Sequence, residues 1–239
     1  MTELQGSVMI VTGASSGIGE ATARLAAKAG ARLVLAARRA DRLQRLALEL
    51  PDAIAVTTDM RVPDQVRALV ATAEDHYGRV DVLINNAGQG YHVPVEKVTL
   101  EDFQAIIELN VYGPLVALQA VLPLMRHQGG GSIVNVSSGT VRGAWPGVGP
   151  YASSKAALTH LSRVARNELA AEGIVVSTVF PYVTATEFHE ALRGGALRQP
   201  PPGGTGRPPV HPPELVAEAI LQLVRSGEEE IVLTPQSPR

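Results

Sequence analysis

The sequence contains no cysteine. That excludes disulfides, thiolate metal sites and a cysteine nucleophile, and it fits a reducing compartment. It has no large charge of either sign: the net charge is -2 and the pI about 6.3. A nucleic-acid binder needs a basic face, so that class is disfavoured. No uninterrupted apolar run approaches the roughly 20 residues of a membrane span. Met1 to Ser7 is polar and leads straight into a strand pattern, which predicts no signal peptide. These absences predict a soluble, cytoplasmic chain with no metal, membrane or nucleic-acid partner. Lysine is scarce, with Lys28, Lys97 and Lys155 only, and Trp145 is the single tryptophan.

What remains is an ordinary globular composition. The chain has 239 residues, 45% hydrophobic and 18% charged, enough to bury a full core without staples. Short β-branched runs alternate with longer helical patterns. Strands are predicted at Ser7–Thr12, Arg32–Ala36, Ala53–Thr57, Val80–Ile84, Ser132–Ser137, Val175–Phe180 and Glu230–Leu233. Most are continuously apolar, as in a parallel sheet covered on both faces. Helices are predicted near Ile18–Ala29, Asp41–Leu50, Pro63–His76, Leu100–Gln128, Tyr151–Glu172 and Pro213–Ser226. This alternation predicts an α/β fold: a Rossmann-like, doubly wound, seven-stranded parallel sheet. No second domain is evident, so residues 1–239 are read as one domain. Residues 193–213 are rich in Pro and Gly. Their place after the sixth strand predicts a lid, spanning about 187–213, over the carboxyl edge of the sheet.

The first strand runs into Thr12-Gly13-Ala14-Ser15-Ser16-Gly17-Ile18-Gly19 and then a helix. Strand, Gly-rich turn and helix form the context a dinucleotide site requires. Gly13 allows the tight turn, Gly17 admits a pyrophosphate, and Gly19 lets the helix pack closely. The helix N-terminus offers free N–H groups and partial positive charge. An NAD site usually has an acid at the end of the second strand. Here Ala37 stands in that place, followed by Arg38 and Arg39. A guanidinium suits a 2′-phosphate, and Ser15 adds a hydroxyl. NADP is therefore favoured over NAD.

Tyr151 precedes Lys155 by four residues, which places both on one helix face. A free phenol has a pKa near 10, and an adjacent ammonium is expected to lower it. The fifth strand ends in Ser137 and Ser138. A hydroxyl at that edge can donate to a carbonyl oxygen as charge develops. Asn85-Asn86-Ala87-Gly88 ends the fourth strand, in reach of a cofactor. Asn110 interrupts an apolar helical pattern, which predicts a local break, a water site, or both.

Together these motifs resemble those of the short-chain dehydrogenase/reductase family, over essentially the whole chain. The matching residues are TGASSGIG at Thr12–Gly19, Asp59, NNAG at Asn85–Gly88, Asn110, Ser138, Tyr151 and Lys155. Ser138 lies thirteen residues before Tyr151, the family's common spacing, which favours it over Ser137. The resemblance implies Tyr151 as general acid/base and Ser138 as the group that polarises the substrate oxygen. It implies that Lys155 bonds the nicotinamide ribose and lowers the tyrosine pKa, and that Asn110 holds a relay water. Asp59 and Met60 would contact adenine, Asn86, Ala87 and Gly88 the adenosine ribose, and Thr186 the carboxamide. The family usually continues from Pro181 with Gly, then Val; here Tyr182 and Thr184 stand instead. Tyr182 either diverts the backbone or walls the pocket.

Other pocket walls are expected from Gln89, Tyr91, His92 and Trp145. The set holds no obvious carboxylate clamp except Arg142, so an uncharged ketone, aldehyde or secondary alcohol is expected. The reading is an NADP-dependent carbonyl reductase. The alternatives are a 3-oxoacyl thioester reductase and a non-catalytic NADP-binding sensor or scaffold. The helical patterns Val111–Met125 and Tyr151–Leu169 predict a second partner, as a homodimer. A homotetramer is the alternative, disfavoured by the short run after Leu233.

Overall fold

The computed structural model describes residues 2–194 and 210–235. Seven parallel strands form one sheet, with helices on both faces. The strands are β1 (Val8–Thr12), β2 (Arg32–Ala37), β3 (Ala53–Thr57), β4 (Val82–Asn85), β5 (Gly131–Val136), β6 (Ile174–Phe180) and β7 (Glu230–Val232). Their order is β3-β2-β1-β4-β5-β6-β7. The winding reverses between β1 and β4, which puts the ligand crevice of such a sheet outside their carboxyl ends.

Alternation within each strand explains why the runs are apolar throughout. Met9, Val11, Leu33, Leu35, Val82 and Ile84 point into one core layer, under α1 (Gly17–Lys28), α2 (Ala40–Glu49) and α7 (Pro213–Ser226). Val8, Ile10, Val34, Ala36 and Leu83 point into the other. That layer lies under α3 (Pro63–Tyr77), α5 (Gly113–Gln128) and α6 (Gly149–Leu169). A strand covered on both faces has no polar side to offer.

The predicted helix Leu100–Gln128 is not regular. It divides into α4 (Leu100–Ile107), a π-helical turn at Glu108–Tyr112 and α5. The expected break at Asn110 thus takes the form of a π turn, a feature common at functional sites. By overall length and composition Leu100–Gln128 would pass for a membrane-crossing helix, although Glu101, Asp102, Glu108 and Asn110 interrupt its apolar run. Half of its most apolar window is buried inside the fold.

The expected lid is described only at its ends. Residues 187–189 form a short 3₁₀ turn, and residues 195–209 lie outside the described residues. Arg193 bridges to Tyr91 and His211 to Thr184. Arg193 also pairs with Asp102 at 2.6 Å, and Gln89 Nε2 donates to Ala191 O at 2.6 Å. Both described ends are stitched to the rim of the crevice.

Candidate active site

The glycine turn and the ends of β1 and β4 are built as one piece. Thr12 Oγ1 donates to Ile84 O at 3.1 Å and accepts from the backbone N–H of Asn86 and of Ala87. Asn86 Nδ2 donates to Thr12 O at 2.9 Å. Gly13 has φ +69°, a left-handed conformation open to glycine. A Cβ on Gly19 would lie 2.3 Å from Gly13 O, so close approach, not turn shape, demands that glycine. Ser16 is the N-cap of α1 and makes no side-chain cap hydrogen bond. The first-turn N–H groups are therefore open to an anion.

At the end of β2, Ala37 stands at the position of the usual acid, and Arg38 is exposed. Among the described residues Arg38 makes no ion pair; its charge helps hold the Asp59 carboxyl below its ordinary range, behind the larger effect of the Arg61 hydrogen bonds. Arg39 is engaged. It donates to Ser15 Oγ at 3.1 Å, to Ser16 Oγ at 2.6 Å and to Glu187 at 2.8 Å. Asp59 is bound by Arg61 at 2.6 Å, and Met60 is buried, its carbonyl against Gly113.

Across the reversal point, four polar side chains gather under the carboxyl edge. Tyr151 is 7% exposed and Lys155 3% exposed, one turn apart on α6. Lys155 Nζ donates to Val136 O at 2.8 Å. Ser138 lies beside the Tyr151 phenol and favours its ionised form; its Oγ accepts from Thr140 N and Thr140 Oγ1. Asn110 is fully buried. Its Oδ1 accepts from Gln89 N at 3.0 Å; its Nδ2 donates to Gln89 O and Ser154 Oγ, both at 3.0 Å. Asn110 Oδ1 and Lys155 Nζ converge beside Gly88. A Cβ there would lie 3.2 and 3.3 Å from them. The bare glycine leaves a space that two polar atoms face.

The two serines at the end of β5 separate cleanly. Ser137 points into the fold, 2.7 Å from Thr159 Oγ1, while Ser138 meets Tyr151. The missed members of the site are those whose partners are distant in sequence. Asn85 pairs across the sheet with Asn135 at 2.9 Å, and Asn135 with Ser162 at 2.8 Å. This buried chain ties β4 and β5 to α6 beneath Lys155. Phe188 also joins the site, its ring 5.5 Å from that of Tyr151. An aromatic residue two positions after Thr186 was the available signal.

One electrostatic expectation is reversed. The Tyr151 phenol is not lowered. Burial pushes it up to about 12, with the neighbouring Ser138 hydroxyl acting the other way. Burial likewise pushes Lys155 down to about 8. Both ionised forms lose hydration on burial, which disfavours the charge in each case. The phenol rests as a proton donor.

The remaining expected pocket residues scatter. His92 lies 6.0 Å ring-to-ring from Tyr151. Tyr91 is fully buried, its hydroxyl accepting from Thr99 N at 3.1 Å, so it buttresses the wall. Trp145 is half exposed and folds over Gly143. Tyr182 has no positive φ, so the glycine it replaces is not needed for backbone freedom here. Its ring packs on His211 at 5.5 Å. Thr184 Oγ1 donates to Tyr182 O at 2.8 Å. Pro181 follows β6 and accepts from Gly139 N at 3.1 Å. Thr186 sits over the glycine turn, its methyl 2.9 Å from where a Gly17 Cβ would be. A cavity of about 480 Å³ opens between Ser16, Arg42 and Thr186. A larger one, about 580 Å³, lies at the opposite, amino edge, near Thr2, Arg32 and Gln128. It is remote from Tyr151.

Comparison with known proteins converges on one group. A sequence profile described as short chain dehydrogenase matches residues 7–196. An uncharacterised oxidoreductase of Staphylococcus saprophyticus is 37% identical over 203 residues, covering 83% of this chain and 82% of the relative. The 3-ketoacyl-(acyl-carrier-protein) reductase of Brucella melitensis, solved with NADH, is 27% identical with a TM-score of 0.86, covering 98% of each chain. An alcohol dehydrogenase of the archaeon Thermococcus sibiricus, solved with 5-hydroxy-NADP, is 29% identical with a TM-score of 0.83. That match covers 98% of this chain and 99% of the other.

Proposed function

Since the chain belongs to the short-chain dehydrogenase family of oxidoreductases, we propose that it is an NADP-dependent carbonyl reductase, reversible as an alcohol dehydrogenase. The observation that carries this reading is the placing of Tyr151 and Lys155, both buried and one turn apart on α6, beside Ser138 at the carboxyl edge of the sheet. A bound nicotinamide dinucleotide would supply or accept the hydride. The residues present fit such a group. Uncapped N–H groups of α1 would receive its pyrophosphate, with Ser15, Ser16, Gly17 and Ile18, in a turn that Gly13 and Gly19 allow to pack tightly on Asn86 and on itself. The space beside Gly88, faced by Lys155 and Asn110, would take a ribose, with Asn86 and Ala87 alongside. Asp59 and Met60 would hold the adenine end, and Pro181, Thr184 and Thr186 the nicotinamide end. Arg38 replaces the usual acid with a cation suited to a 2′-phosphate.

Tyr151 Oη holds the proton that passes to the substrate oxygen, and Ser138 Oγ donates a hydrogen bond to that oxygen. Lys155 places a positive charge beneath the pair. Asn110 Nδ2 is committed to Gln89 O and Ser154 Oγ, while its Oδ1, which accepts from Gln89 N, keeps one lone pair for a relay water. Arg142 is diverted to Glu230 at 3.7 Å and to the Phe180 ring at 5.2 Å. It therefore offers no carboxylate clamp, which supports an uncharged substrate walled by His92, Phe188 and Gln89.

The likeness to the Brucella enzyme supports a second reading, reduction of a 3-oxoacyl thioester. Retention of both Tyr151 and Lys155 weighs against a non-catalytic sensor. The outward residues Leu161 and Val164 of α6, about 40% exposed, favour pairing as a homodimer, to be tested by light scattering. The deciding experiment is NADPH consumption against aldehydes, ketones and 3-oxoacyl thioesters, with NADH and Tyr151→Phe alongside. Turnover that needs Tyr151 is expected. Cofactor binding without turnover on any compound would refute the enzymatic reading.

A further inference from the structure

Glu187 follows Thr186 directly and reaches back 148 positions to Arg39, at 2.8 Å. It also binds Arg42 Nη1 through both carboxylate oxygens, at 2.7 and 2.9 Å. Arg39 caps α2, and Arg42 lies three residues on, so both guanidinium groups share one face. Arg39 at the same time holds Ser15 Oγ and Ser16 Oγ in the glycine turn. One carboxylate therefore sits in the corner where the end of β2, the glycine turn and the segment after Thr186 meet.

Arg38, Arg39 and Arg42 bring three positive charges to this corner, and Glu187 is the acid that engages two of them. The adjoining cavity is also lined by Glu20, which shares Arg24 with Glu49, and by Glu190 and Glu214. A phosphomonoester is close to a dianion at neutral pH, with a second pKa near 6, so it presents more charge to Arg39 than a single carboxylate does. Arg39 and Glu187 are both about 40% exposed, so an incoming anion can reach them. Arg42 alone still contacts both Glu187 oxygens, so the carboxylate can lose Arg39 without losing its only partner. Ser15 and Ser16, now acceptors from Arg39, can turn to donate to a phosphate.

We infer that Glu187 is a resident counter-anion that competes with the 2′-phosphate of NADP(H) for Arg39 and so sets the discrimination between the two nicotinamide cofactors. This rests on the NADP reading above. A cofactor lacking the 2′-phosphate has no cause to displace Glu187. One that carries it must break an exposed ion pair first, which weakens its apparent affinity by the fraction of molecules with Arg39 engaged.

The test is a binding titration, without substrate. Dissociation constants for NADPH and NADH are measured by nicotinamide fluorescence for wild type, E187Q, R39Q and the double variant. E187Q is expected to tighten NADPH by roughly 3- to 10-fold, the scale of one or two exposed ion pairs, and to leave NADH within about 2-fold. In the R39Q background the gain from E187Q should vanish, because the competition is for Arg39. E187A repeats the test without the residual hydrogen bonding of glutamine. Unchanged NADPH affinity, equal tightening of both cofactors, or a gain that survives R39Q would each overturn the inference. If wild type binds NADPH and NADH equally, the NADP reading falls and this inference with it. If wild type prefers NADPH and E187Q is silent, only this inference falls.

Discussion

Replacing Lys155 with methionine should stabilise the protein near neutral pH while removing its activity. The side chain is 3% exposed, and among the described residues its ammonium has one hydrogen bond, to Val136 O. Burial holds its pKa at about 8, against 10.5 for an exposed lysine. The unfolded chain therefore binds more protons than the folded one between those values, and wild-type stability rises with pH across that window. Below about pH 8 the burial penalty is fully present, on the order of 3 kcal/mol from 1.36 kcal/mol per unit. Methionine keeps a long unbranched stem and carries no charge. It strands the Val136 carbonyl, which costs about 1–3 kcal/mol at any pH. The pH-dependent part is free of that uncertainty. Urea denaturation of both proteins from about pH 7 to about pH 9.5 should show the wild type gaining roughly 2 kcal/mol on the variant. Parallel stability curves across that range would refute the desolvated lysine, whatever the offset between them.

Tyr151→Phe should retain cofactor affinity, measured by fluorescence titration, and lose turnover by at least about 100-fold, the least that a positioned acid contributes. Arg38→Asp should shift the NADPH-to-NADH ratio of dissociation constants toward NADH; an unchanged ratio removes Arg38 from cofactor selection. The adjacent serines should diverge. Ser138→Ala is expected to lower kcat by about 100-fold or more with little change in Tm, whereas Ser137→Ala, which loses the buried Thr159 contact, should cost about 1 kcal/mol of stability and little rate. Gly19→Ala forces a methyl onto Gly13 O and should destabilise by about 1–3 kcal/mol, visible as a lower Tm with weakened cofactor binding.

The layered sheet was legible in the sequence because its determinants are local. A continuously apolar strand such as Met9–Val11 can only be covered on both faces, and Gly13 and Gly19 mark a turn that must pass close to something. The four-residue step from Tyr151 to Lys155 is likewise a property of one helix, readable from spacing alone. Even the break in the long apolar helix was announced by Asn110, although not its π form. Burial and long-range pairing were not legible, because no local pattern encodes them. The direction of the Tyr151 and Lys155 shifts depends on how completely α6 is covered, and spacing pointed the wrong way for the phenol. The choice of Ser138 over Ser137 was readable from spacing, but the inward contact of Ser137 with Thr159 depends on where β5 ends against α6. The contact of Glu187 with Arg39 joins segments 148 positions apart. The sequence determined which elements form and which chemistry they carry. The tertiary structure alone decided which charges lose water and which distant groups meet, since both depend on the packing of the whole sheet.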